Sequence, residues 1–134
     1  MGYRSDVVLL LYGTPAKVDM VDTLLLQKLD PEYDREMFES CKQVVDTDGE
    51  RMIMWGFRDV KWYDKADYYK ECLFDWVQEI NDAAPDHEKD FKLALDFARA
   101  GENFDDNEQQ QSDDTEYRAY IVRSIEVPDE FQLK

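Results

Sequence analysis

The chain has 134 residues, enough for one domain (residues 1–134) with a core of its own. It carries 32 Asp and Glu against 16 Lys and Arg, a formal net charge of −16, with 43% hydrophobic and 13% aromatic residues. That aromatic content excludes a charged disordered tail. The acidic balance argues against direct binding to nucleic acid or to an anionic membrane, both of which select Lys/Arg patches.

Val7-Val8-Leu9-Leu10-Leu11-Tyr12 is a short apolar run bounded by Asp6 and Gly13, which predicts a strand buried on both faces and central in a sheet. Thr14-Pro15 reads as an N-cap followed by a first helical position. Val18, Val21, Leu24, Leu25 and Leu29 then recur at helical spacing, predicting a helix over about 14–29. Asp30-Pro31 repeats the start signal, and Tyr33, Met37, Phe38 and Cys41 predict a second helical segment over about 31–42. Val44-Val45 predicts a short strand, Asp48-Gly49 a tight turn, and Met52 to Phe57 a second arm, so a hairpin is expected around Gly49.

Asp64 is read as the cap of a long helix whose apolar face carries Tyr69, Leu73, Trp76, Val77 and Ile80, running to about Asn81 before Pro85 blocks continuation. Phe91, Leu93, Leu95 and Phe97 alternate with Lys92, Ala94, Asp96 and Ala98, which predicts a half-buried strand. Tyr117, Ala119, Ile121, Arg123 and Ile125 alternate in a last strand, ended by Pro128. The expected fold class is α+β. It follows a ferredoxin-like βαββαβ plan with an additional C-terminal strand, a mixed sheet and helices on one face.

Between Arg99 and Arg118 there is no basic residue. This stretch holds Glu102, Asp105, Asp106, Glu108, Asp113, Asp114 and Glu116 around Gln109-Gln110-Gln111. Three readings stand: a surface that docks on a basic partner, a carboxylate set for a hard cation, or a solvated hairpin tip. Neither this stretch nor Asp46-Thr47-Asp48-Gly49 has the ligand spacing of an EF-hand loop. Asp59-Val60-Lys61-Trp62-Tyr63-Asp64 joins a strand to a helix, where Trp62 and Tyr63 form an exposed contact patch or Trp62 closes the core edge.

No catalytic constellation is evident. His87 is the single histidine, in a polar loop. Cys41 and Cys72 have no nearby His and no metal-like spacing, and are expected as buried free thiols. No serine sits in a nucleophile elbow and there is no Gly-rich phosphate loop. Carboxylates are too abundant for any pair to point to acid–base work. The chain has no run of about eighteen apolar residues. Its start lacks the apolar stretch of a signal peptide, and Asp6 stands where a myristoylation motif wants Ser or Thr.

Three stretches together carry a resemblance: Gly2-Tyr3-Arg4-Ser5-Asp6-Val7, Asp59-Val60-Lys61-Trp62-Tyr63-Asp64, and Gly101-Glu102-Asn103-Phe104-Asp105-Asp106 with Arg123-Ser124-Ile125. This set resembles small acidic proteins of unknown function encoded by bacteriophages and prophages. The resemblance implies a bacterial host cytoplasm and no catalytic residues. Small acidic phage proteins often inhibit host machinery, in some cases as mimics of DNA. Here 16 basic residues and many aromatics depart from the extreme mimics.

The expected function is therefore a non-catalytic acidic interaction module, an inhibitor or modulator that binds a basic surface of a host protein and needs no cofactor. The expected contact residues are the seven carboxylates named above with Trp62 and Tyr63. The alternative is a small carboxylate-using enzyme, or a domain that binds a divalent cation or ligand.

Overall fold

The computed structural model describes residues 4–47, 49–62, 64–84, 93–101, 107–112, 120–121 and 125–126. The order is β1 (Ser5–Gly13), α1 (Pro15–Lys28), α2 (Asp34–Ser40), β2 (Lys42–Thr47), β3 (Glu50–Val60), α3 (Asp64–Ala83), β4 (Ala94–Gly101), β5 (Asn107–Gln111), β6 (Tyr120–Ile121) and β7 (Ile125–Glu126). The protein is α+β. Its main sheet has five strands in the order β2-β3-β1-β4-β5, and each neighbouring pair is antiparallel.

The expected mixed sheet is thus corrected to an antiparallel one. Each helical crossover passes over a strand: the chain from β1 to β2 skips β3, and the chain from β3 to β4 skips β1. Strands running the same way are therefore never neighbours. β1 lies at the centre, as its unbroken apolar run requires, with Leu9 opposite Trp55 on one side and Phe97 on the other.

The helices pack on one face. Val7, Leu9, Leu11, Ile53, Trp55, Phe57, Leu95 and Phe97 meet Val18, Val21, Leu25 and Leu29 of the first helical segment, Phe38 of α2, and Tyr69, Leu73 and Val77 of α3. Leu73 is wholly buried, so its truncation to alanine costs about 2–5 kcal/mol. Trp76 and Ile80 sit at the margin of this cluster. Pro15 opens α1, but the Thr14 side chain makes no cap; its carbonyl accepts from Val18 N at 3.0 Å. α2 starts at Asp34, later than expected, because Asp30 Oδ1 accepts from Glu32 N at 3.1 Å and holds residues 31–33 as a turn.

The opposite face is also buried, which corrects the half-buried reading of β4. Val8, Leu10, Tyr12, Met52, Met54, Ala94 and Ala98 form a second cluster, with Asp96 fully buried among them. The separate two-stranded β6-β7 sheet contacts β1 and β4. Alanine is small enough to lie beneath another layer, so a residue that looks polar-side in the alternation is in fact enclosed. The stretch 107–111, read as part of a hairpin tip, is strand β5. Most of the expected last strand, from Tyr117 to Ala119 and around Arg123, lies outside the described residues.

One irregularity shapes the end of β3. The register with β1 shifts between Ser5 and Val7, and Asp59 takes a left-handed backbone with φ 54°. Two neighbours hold it there: Asp59 N donates to Asp6 Oδ1 at 2.9 Å, and Arg4 donates to the Asp59 carbonyl at 2.9 Å. An extra residue on one strand of a pair produces such a bulge.

Candidate interaction surface

Of the nine expected contact residues, Glu102, Asp105, Asp106, Asp113, Asp114, Glu116 and Tyr63 lie outside the described residues, as does His87. Glu108 stands exposed on β5, directly across from Arg99 of β4. Arg99 Nη2 donates to Glu108 Oε1 at 2.8 Å, and its other terminal nitrogen donates to Ser5 Oγ at 3.0 Å. The Glu108 charge is therefore answered within the fold, which corrects the picture of carboxylates without a basic neighbour. Trp62 is 9% exposed and lies between Phe57 and Phe97, with ring centroids at 5.9 and 6.0 Å. It closes the core edge, so the exposed-patch reading does not describe it.

The acidic character that the structure displays most clearly is on α3. Glu71, Asp75, Glu79 and Asp82 are exposed, and from Glu71 to Ala84 the chain has no Lys or Arg. Residues four apart share a helix face, so Glu71, Asp75 and Glu79 form one row. Asp75, Glu79 and Asp82 make no ion pair with a described residue. The signal was present in the sequence: the polar positions of the helix lose their cations after Lys70.

A groove of about 390 Å³ runs between α3 and β5, with Glu71, Asp75 and Asp82 on its α3 side and Gln110, Gln111 and Ser112 on its β5 side. Phe74 and Val77 supply an apolar floor. Lys70 anchors the two elements. It is 4% exposed, with its ammonium 2.8 Å from Glu71, 3.4 Å from Asp67, 3.1 Å from Gln110 Oε1 and 4.8 Å from the centre of the Phe97 ring. Burial disfavours its charge, but hydrogen bonding to Glu71 and the charges of Asp67 and Glu71 outweigh that, so its pKa is raised. At the far end, the Asn81 amide both donates to and accepts from the Leu93 backbone at 2.9 Å, tying the end of α3 to the residue before β4.

A second concavity of about 450 Å³ opens between α2, the start of α3 and the end of β3. At its back, Asp34 is 8% exposed and its Oδ2 accepts from the Tyr69 hydroxyl at 2.6 Å and from Lys65 at 2.9 Å. Burial and the bond to Asp34 raise the Tyr69 pKa. The bond to Asp34 likewise raises that of Lys65, and the backbone N–H of Glu32 with Lys65 lowers that of Asp30.

Among the described residues no three His, Cys, Asp or Glu side chains converge to hold a metal ion. Cys41 and Cys72 are free thiols, half-buried rather than buried: Cys41 follows α2 and Cys72 lies at the flank of α3. No described helix is long and apolar enough to cross a membrane. No protein-family model, curated protein or solved structure matches this chain.

Proposed function

We propose that the protein is a non-catalytic acidic interaction module, of the kind bacteriophages encode, that inhibits or modulates a host protein by docking on a basic surface. The observation that carries this reading is the exposed set Asp75, Glu79 and Asp82 along α3 beside the α3–β5 groove, continuing a row whose first member, Glu71, is paired with Lys70. No cation of α3 after Lys70 offsets these charges. A row of like charges on one rigid helix attracts a basic partner over a distance and raises its association rate. The acidic stretch from Glu102 to Glu116 adds to the same field in this reading. The strand order β2-β3-β1-β4, with α1 and α2 in one crossover and α3 in the other, supports a ferredoxin-like βαββαβ plan extended by an additional strand, β5.

The test is capture from bacterial lysate at low and high salt, followed by kinetics with the captured protein. The variant Asp75→Asn/Glu79→Gln/Asp82→Asn keeps shape, leaves Glu71 on Lys70 and removes the three unpaired charges of the row. Its association should slow roughly tenfold at low salt with dissociation little changed. Unchanged association by a folded variant would remove α3 from the interface; no salt-sensitive partner at all would sink the module reading.

The cleft at Asp34 and Tyr69 favours a second reading, a small-ligand domain, since its volume falls in the range of ligand sites. A ligand-dependent rise in melting temperature that Tyr69→Phe abolishes would favour it over the first.

A further inference from the structure

β2 lies at one end of the sheet, and β3 is its neighbour there. Its pairing with β3 is unbroken from Lys42–Trp55 to Thr47–Glu50. Just before it, Gly56 N donates to the Cys41 carbonyl at 3.2 Å. The Cys41 carbonyl thus faces β3 at a position that continues the same register, which fixes the parity of the strand, although its N–H turns back to Glu39. Antiparallel pairs alternate, so Gln43, Val45 and Thr47 turn their backbone groups towards β3, while Lys42, Val44 and Asp46 turn theirs outward.

Exposed edges are usually blunted by proline, a bulge or an outstanding lysine. β2 has no proline and no register shift. Its one lysine is drawn back onto α1 by Asp22, at 2.6 Å, and its side chain is only 17% exposed. Val44 is 50% exposed, a large apolar side chain at the middle of the outward-facing row.

We infer that β2 pairs with β2 of a second copy of this chain, antiparallel and centred on Val44, joining two sheets into one. The row is complementary to itself. A two-fold axis at Val44 sets Val44 against Val44 and Lys42 against Asp46 of the second copy. All three are residues whose backbone groups point outward, so each facing pair exchanges both of its hydrogen bonds. Opposed side chains in such pairs lie about 5 Å apart on one face of the sheet. Asp46 is 59% exposed and is held by Arg51 at 2.7 Å, which also reaches Asp19 at 2.6 Å. Charges of alternating sign then run across the junction: Asp22, Lys42, then Asp46, Arg51 and Asp19 of the second copy. A register moved by two residues keeps the backbone bonds but loses the match of Lys42 to Asp46. This symmetry is the isologous kind that closes as a dimer. It is independent of the acidic face on α3.

Each copy has a net charge of −16, so long-range repulsion opposes the pairing. Salt screens that repulsion over a Debye length of roughly 10 Å at 0.1 M. Dimerisation should therefore strengthen with salt, the opposite of the α3 contact with a basic partner.

Sedimentation velocity of the full chain over a concentration series, at low and moderate salt, tests this. A reversible monomer–dimer equilibrium favoured by salt is expected. Val44→Pro removes an outward N–H without touching the bonds to β3, and should weaken the dimer by roughly tenfold or more. Circular dichroism checks that the variant is folded. The pair Lys42→Asp and Asp46→Lys guards against a folding failure at Val44: each alone sets like charges opposite and should be monomeric, while the two mixed should form a one-to-one dimer. A wild-type chain that stays monomeric at every concentration and salt overturns the inference. So does a dimer indifferent to Val44→Pro, or charge variants that fail to recognise each other when both are folded.

Discussion

The two faces of the sheet are buried by different means. The helix-covered face is filled with rings: Phe38 meets Phe57 edge-on at 5.0 Å, and Phe57, Trp62 and Phe97 continue the series. The other face carries a single ring, Tyr12, and no Phe or Trp among the described residues, and otherwise relies on Val8, Leu10, Met52, Met54 and two alanines. Rigid rings interlock and specify one arrangement, whereas flexible methionines adapt to whatever lies against them. The helix face should therefore tolerate loss of volume poorly, and the other face should yield.

The strongest way to break that comparison is Phe57→Ala, which removes a fully buried ring touching both Phe38 and Trp62. Chemical denaturation should show a loss of about 3–5 kcal/mol. The neighbouring pair Leu9→Ala and Leu10→Ala sharpens it, since both residues are fully buried on β1 and point to opposite faces. Both losses should fall within about 2–5 kcal/mol, with Leu9 near the top and Leu10 near the bottom. Equal losses would mean that Met52 and Met54 do not relax into the gap.

A smaller effect is expected where the helix face contains polar groups. Tyr69→Phe deletes the 2.6 Å bond to Asp34 while leaving Lys65 in place, and should cost about 1–3 kcal/mol. The same residue gives a pH test. The Tyr69 and Lys70 pKa values are raised above 10.0 and 10.5, so the folded state holds these protons more tightly than the unfolded state. Their contribution is fully present below those ordinary values and is lost as pH rises through the raised ones. Unfolding measured from neutral to alkaline pH should show stability falling beyond about pH 10, less steeply in Tyr69→Phe. The smallest effect concerns the surface. Melting temperature should rise modestly from low to moderate salt, because the excess of carboxylates repels itself. A fall would mean that pairs such as Arg51 with Asp19 and Asp46 outweigh the net charge.

Much of the secondary structure was legible in local pattern. The period-3.6 stripes of α1 and α3, the apolar run of β1 and the Asp48-Gly49 turn dipeptide each rest on near neighbours in the chain. The site was less legible. Trp62 gave no local sign of whether its ring faced the core or solvent, because a linker between strand and helix has no period. Arg99 gave no sign of reaching Glu108, since that pairing depends on β5 returning beside β4.

The sequence by itself determined the order of elements from β1 to β4, the central place of β1 and the strong negative charge. These follow from composition and from periodicities read within a few residues. Only the tertiary structure decided that β3 slots between β1 and β2 and turns the sheet antiparallel, that Asp96 and its flanking alanines lie under a second layer, and that α3 displays an acidic row beside β5. It also decided that β2 ends the sheet with the backbone groups of Lys42, Val44 and Asp46 turned outward. Strand order and facing are set by contacts between residues far apart in the chain, and a local hydrophobic pattern has no term for them.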